Sequence, residues 1–231
     1  MPVASYELEG RLAHIRMDDG KANALSDAMI AELTEALTRA EKEASAVVLS
    51  GRPERFCAGF DLKVMMSSQE AARNMLRSGA ALLMRLYGSP LPVVAACTGH
   101  ALAGGALVLL TADVRVGAAG RYRVGLNEVS IGLPVPVLAM ELARDRLAIG
   151  ELGRATLGAQ IYDPGEAARA GYLDHVLPAA DVAARARQEA ARLAELSPAA
   201  YRATKQRLRG KTIQHIVSTL DEDLATLMTG G

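Results

Sequence analysis

Phe56-Cys57-Ala58-Gly59-Phe60-Asp61-Leu62 and Gly99-His100-Ala101-Leu102-Ala103-Gly104-Gly105 are the two stretches on which the reading of this chain turns. Each comes after a short apolar run with the character of a buried strand: Ala46-Val47-Val48-Leu49 and its loop before the first, Leu91 to Cys97 before the second. Glycines at strand C-termini let the backbone turn tightly and aim its N–H groups at a common ligand, and a helix starting there adds a dipole that favours negative charge. Two such donors make an oxyanion hole. Either stretch alone is better read as ordinary turn chemistry; the pair points to a shared site.

Around these stretches the hydrophobic period alternates between strand and helix. Leu12, His14 and Arg16 oppose Ala13, Ile15 and Met17 after a Glu9-Gly10 turn, which predicts an N-terminal hairpin. From Asp27 to about Ala44, the residues Ile30, Leu33, Leu37 and Ala40 recur at helical spacing, with charged residues on the other face. The run from Gly51 to Asp61 reads as a loop, and Ser67-Ser68-Gln69-Glu70 has capping-box spacing for a long helix that Pro90 closes. A helix follows the second glycine stretch, Val114 to Val116 is a strand, and another helix comes after Pro134-Val135-Pro136. Asp163-Pro164-Gly165-Glu166 starts a further helix that Gly171 stops, and His175 to Leu177 is a short strand. From Asp181 the pattern is helical, with breaks expected at Ser197-Pro198 and near Gly210.

Composition narrows the function classes. The 231 residues are half hydrophobic, enough for one sizeable core. Lys plus Arg and Asp plus Glu both number 26, so no global field draws the chain to nucleic acid or to an anionic membrane. Aromatic residues are 3% with no Trp, which leaves few stacking platforms for single strands. Even the apolar stretch from Ala101 to Val116 is interrupted by Gly104, Gly105 and Asp113, so no membrane span is expected. The N-terminal residues lack an apolar signal core, from which a cytoplasmic location is expected. Cys57 and Cys97 lack metal or redox spacing and read as reduced thiols. Dinucleotide, P-loop and nucleophile-elbow motifs are missing from the sequence.

The two glycine stretches, in this order and at this separation, resemble the paired oxyanion-hole motifs of the crotonase (enoyl-CoA hydratase/isomerase) superfamily, and the resemblance runs from about Ala13 to Leu208. It implies an α/β crotonase (ClpP-like) spiral of ββα units over residues 1–196. Residues 197–231 are then a helical C-terminal region used in pocket closure or assembly. The first oxyanion donor falls on the backbone N–H of Phe60 and the second on that of Gly104. Ala103 stands where many relatives carry a third glycine. Of the two glutamates of the family's hydratases, the first aligns with Leu107, which can neither orient a water nor carry a proton. The second is present as Glu128, in Gly125-Leu126-Asn127-Glu128.

A single carboxylate matches the Δ3-Δ2-enoyl-CoA isomerases of the superfamily, which move one proton along one face of the acyl chain. The leading expectation is therefore isomerisation of 3-enoyl-CoA to trans-2-enoyl-CoA with Glu128 as acid/base. Hydration of 2-enoyl-CoA and a catalytically weak acyl-CoA-binding protein are the alternatives. Read by itself, Glu128 is a surface or capping residue. The resemblance further implies coenzyme A as part of the substrate, no permanently bound cofactor and no metal. It points to Ala22, Ala24 and Leu62 as backbone contacts of the coenzyme and to Lys63 as a point charge for a phosphate. Met65, Leu83, Leu107 and Leu138 are expected along the acyl pocket, and assembly is expected as a homotrimer or a dimer of trimers. His100 beside the second glycine turn reads better as structural than as a base, and Glu141 and Asp145 as solvated helix charges.

Overall fold

Strands β1 (Ala4–Glu9) and β2 (Leu12–Met17) form the expected antiparallel hairpin, with Gly10 at positive φ in the turn; the computed structural model describes residues 2–229. Helix α1 (Asp27–Glu43) starts at Ser26, whose hydroxyl accepts the Met29 N–H at 3.2 Å, and buries Ile30, Leu33, Leu37 and Ala40. It returns the chain to β3 (Ala46–Ser50), parallel to β2.

The segment from Gly51 to Asp61 is not all loop, because β4 (Glu54–Cys57) lies within it and starts a second sheet. Helices α2 (Leu62–Met65) and α3 (Gln69–Tyr87) follow. The cap of α3 is Ser68, whose hydroxyl accepts the Ala71 N–H at 3.1 Å; Ser67 instead donates to the Val64 carbonyl at 2.8 Å, one position off the spacing read from sequence. The pattern then repeats. Strands β5 (Val93–Cys97) and β6 (Gly99–Leu102) lead to α4 (Gly104–Thr111). Strands β7 (Val114–Ala118) and β8 (Val124–Gly125) lead through a short 3-10 turn to α5 (Val137–Arg146).

After the N-terminal hairpin, each successive ββα unit adds one strand to each of two sheets, which makes the architecture a spiral. The large sheet has the order β1-β2-β3-β5-β7-β9, where β9 is His175–Leu177, and the small parallel sheet has the order β4-β6-β8. The α/β spiral with a helical C-terminal region is as the resemblance implied. Between β8 and β9 come α5, α6 (Leu152–Ala155) and α7 (Pro164–Ala170), whose Asp163/Glu166 capping box and left-handed Gly171 match their sequence signals.

Helix α8 (Ala179–Ala194) precedes α9 (Pro198–Thr229), and residues 230 and 231 of the C-terminal region lie outside the described residues. The expected break near Gly210 is absent: α9 runs through it. A helical glycine costs about 1 kcal/mol, and the neighbouring turn is anchored too firmly for that to matter. Lys205 Nζ donates to Asp113 Oδ2 at 2.7 Å and to the Leu91 carbonyl at 2.9 Å. The Arg209 guanidinium meets Asp113 Oδ1 at 3.0 Å, donates to the Tyr87 and Thr111 carbonyls and stacks over the Tyr87 ring. Both cations are almost fully buried, and burial holds the Lys205 ammonium below its ordinary pKa. The tail thus lies over its own core. No helix among the described residues is long and apolar enough to cross a membrane.

Candidate active site

The small sheet assembles the site. Its three strands are parallel neighbours, so the residues after their C-termini emerge along one edge: Ala58-Gly59-Phe60 after β4, Ala103-Gly104 after β6, and Leu126-Asn127-Glu128 after β8. The first two segments lie more than forty residues apart in sequence and the last two more than twenty, and they meet there because the spiral advances one strand per turn.

The first two segments touch backbone to backbone. Gly59 has φ +92°, and a Cβ placed on it would lie 3.0 Å from the Gly104 nitrogen; a Cβ on Gly104 would lie 3.2 Å from the Gly59 Cα. Gly105 is tighter still, since its Cβ would stand 2.0 Å from the Cys57 carbonyl oxygen. These glycines let the start of α4 sit directly on the turn after β4. Neither the Phe60 N–H nor the Gly104 N–H donates a hydrogen bond within the protein among the described residues. Gly104 opens α4, where the first N–H groups have no intrahelical acceptor. Two unengaged backbone donors beside a helix N-terminus can hold a negatively charged oxygen.

Ala103, between β6 and α4, has φ +49° and ψ −123°, a conformation that glycine adopts freely and an L side chain resists. Ala103→Gly is expected to relieve this strain by more than the added chain entropy costs. The net gain of about 1 kcal/mol would be read as a rise of about 2–4 °C in melting temperature.

Glu128 sits where β8 ends in a tight turn. Its carbonyl accepts the N–H groups of Ile131 and Leu133, both at 3.0 Å, and Gly132 closes the turn in the left-handed region. That turn points the side chain inward, leaving Glu128 only 8% exposed. Its Oε2 has no hydrogen-bond partner, nor does Oδ1 of the neighbouring Asn127. Burial raises the Glu128 pKa above its ordinary value of 4.5, and the backbone amides of Glu128 and Asn127 offset this in part. A carboxylate with an open lone pair and a raised pKa suits proton transfer.

Phe60, Gly104 and Glu128 line one cavity of about 180 Å3, whose other walls are apolar apart from Asn127 and include Leu62, Met65 and Leu107. Glu128 is the only ionisable side chain among its described lining residues. A smaller cavity of about 30 Å3 adjoins it, lined by Phe60 and Leu107 again and by Leu83 and Leu138. Of the candidates read from sequence, then, Glu128, Phe60, Gly104, Leu62, Met65, Leu107, Leu83 and Leu138 meet at these two cavities.

Ala22, Ala24 and Lys63 do not line either cavity. Residues 22–25 run beside residues 58–60: the Ala58 N–H donates to the Ala22 carbonyl at 3.1 Å, and the Leu25 N–H to the Gly59 carbonyl at 2.8 Å. Lys63 is exposed on α2, next to Leu62 at the cavity mouth. The sequence reading missed Asn127, and it missed Leu227 and Asp223 of α9, which reach the cavities from a hundred residues away. No motif spacing links α9 to β8, and no local signal in the sequence marks that end of α9 as a cavity wall.

The remaining polar candidates have structural partners. The His100 Nδ1 accepts the Arg123 N–H at 3.0 Å, Glu141 pairs with Arg144, and Asp145 accepts from Tyr87 at 2.6 Å and Thr212 at 2.7 Å. Cys57 and Cys97 are free and buried, and burial pushes both thiols up to about 12. Among the described residues no group of His, Cys, Asp and Glu is placed to hold a metal ion.

Comparison with known proteins identifies the family. A family model described as enoyl-CoA hydratase/isomerase matches residues 7–228. The human mitochondrial enoyl-CoA delta isomerase 1 is 30% identical over 94% of this chain and 74% of that protein. A probable enoyl-CoA hydratase of Rhodobacter capsulatus is 35% identical over 87% of this chain and 79% of its own length. The crystal structure of an enoyl-CoA hydratase/isomerase family protein from Pseudomonas syringae superposes with a TM-score of 0.95 at 37% identity, covering 97% of this chain and 98% of that one.

Proposed function

Because the chain belongs to the enoyl-CoA hydratase/isomerase family, and so to the crotonase superfamily of enzymes, we propose that it isomerises 3-enoyl-CoA to trans-2-enoyl-CoA with Glu128 as its single acid/base. Glu128 takes a proton from C2. The negative charge moves to the thioester oxygen, held by the N–H groups of Phe60 and Gly104, and the double bond shifts from C3–C4 to C2–C3 as Glu128 returns the proton at C4. Each hydrogen bond to the oxygen strengthens as charge develops there, in a cavity whose walls are mostly apolar.

The observation that supports this reading over hydration is the cavity lining. Adding water to a double bond in the two-glutamate manner needs a second carboxylate beside the first, and among the described residues of this lining Glu128 has none, while Leu107 holds the aligned position. Coenzyme A belongs to the substrate in this reading; the backbone at Ala22 and Ala24 and the exposed Leu62 and Lys63 are its proposed contacts. The end of α9 closes the acyl cavity with Leu220, Leu224 and Leu227, which supports pocket closure as a role for the C-terminal region.

Incubating the protein with 3-hexenoyl-CoA and, separately, 2-hexenoyl-CoA tests the proposal, with products followed by chromatography and mass. The isomerase yields 2-enoyl-CoA from the first and little water adduct from the second. A rapid water adduct from the second, with no turnover of the first, would reverse the assignment in favour of the hydratase.

A further inference from the structure

The side chain of Phe60 has a position of its own, distinct from that of its backbone N–H. Its ring lies between two glycines on different helices. A Cβ on Gly79 of α3 would stand 2.1 Å from Phe60 Cε1 and 2.6 Å from Cζ, while a Cβ on Gly104 would stand 3.2 Å from Cδ2. The ring therefore fills a slot that exists only because both positions lack side chains. Phe60 also lines both cavities and is the one aromatic residue among their described walls. Behind it the smaller cavity continues towards Leu83, Leu138 and Leu224, with room for no more than about two methylene-sized groups.

We propose that the Phe60 ring, seated in the Gly79/Gly104 slot, is the stop that sets acyl-chain length, so that the enzyme takes short-chain acyl-CoA esters and the ring holds longer chains out of the space under α3. This rests on the reading of the cavity as an acyl-CoA site, but not on which reaction takes place there. Truncating the ring would empty the slot and join the two cavities. Adding a methyl to Gly79 would push the ring off α3 into the acyl chamber, and a shorter side chain at position 60 would accept that methyl.

Saturated acyl-CoA esters of four to twelve carbons bind without reacting, so their dissociation constants, measured by calorimetry, separate this proposal from the choice of reaction. For the wild type, affinity should rise about fourfold per methylene until the chamber is full, and then level off or fall. In Phe60→Leu the rise should continue for at least two further methylenes, favouring the longer esters by about tenfold relative to wild type. Gly79→Ala should weaken butanoyl-CoA binding about tenfold or more, and the Gly79→Ala/Phe60→Leu double variant should recover it.

The proposal is overturned if wild type and Phe60→Leu level off at the same chain length, or if Gly79→Ala binds butanoyl-CoA as wild type does. Absence of binding by every ester would instead remove the acyl-CoA reading itself, and this proposal with it.

Discussion

Glu128→Gln is expected to lower the turnover of 3-enoyl-CoA by about a thousandfold, the scale of a positioned general acid/base, while leaving the fold and acyl-CoA binding in place. Gln has nearly the same shape, and the Glu128 Oε2 has no hydrogen-bond partner to lose. The pH dependence of the wild type follows from the same burial. Glu128 must be ionised to take the C2 proton, and its pKa is raised above the ordinary 4.5, so kcat/KM should fall on acidification at a pH above that of an exposed glutamate.

Stability should move the opposite way. A carboxyl whose folded pKa lies above its unfolded value contributes stability that is fully present below pH 4.5 and is lost as pH rises through the folded value. Above the folded value the wild type has lost that contribution. Glu128→Gln should therefore melt no lower than the wild type at neutral pH, with any advantage disappearing below pH 4.5. An inactive variant that is also less stable at neutral pH would mean that Glu128 is a structural residue.

The second large effect is on the fold. Among the described residues Asp113 is the single carboxylate paired with the buried Lys205 and Arg209, which fasten α9 to the end of α3 and to the turn after α4. Asp113→Ala leaves both cations without a counter-charge in the interior, at a cost of about 3–5 kcal/mol and a fall in melting temperature of about 10 °C or more. Because α9 carries Leu220, Leu224 and Leu227 to the acyl cavity, KM for acyl-CoA should rise along with the loss of stability. Asp221→Ala, which removes only the exposed partner of Arg77 on the same helix, should leave the melting temperature where it was. Equal melting temperatures for the Asp113 and Asp221 variants would dispose of the anchor.

The two glycine stretches could be read from sequence because each combines a strand end with residues that only a tight backbone approach requires; at Gly59 and Gly105 the structure supplies those approaches. Helices α1 and α7 were legible for the ordinary reasons of an apolar stripe and a capping residue. The small sheet was not. Strands β4, β6 and β8 are at most four residues long, too short for a period of two to register, and β4 buries only Phe56 and Cys57. Yet that sheet is what brings Phe60, Gly104 and Glu128 to one cavity. The continuity of α9 through Gly210 was equally hidden, since it depends on Asp113, nearly a hundred residues earlier. Local signals marked the motif residues, and long-range contacts decided how they meet.

The most direct measurement is the fate of the transferred hydrogen. With 3-hexenoyl-CoA deuterated at C2, a single carboxylate working in a mostly apolar cavity should deliver a substantial fraction of the deuterium to C4 of the 2-enoyl product, and Glu128→Gln should form no such product. A 2-enoyl product that carries only solvent hydrogen at C4, or that forms equally fast in Glu128→Gln, would contradict a proton carried by Glu128.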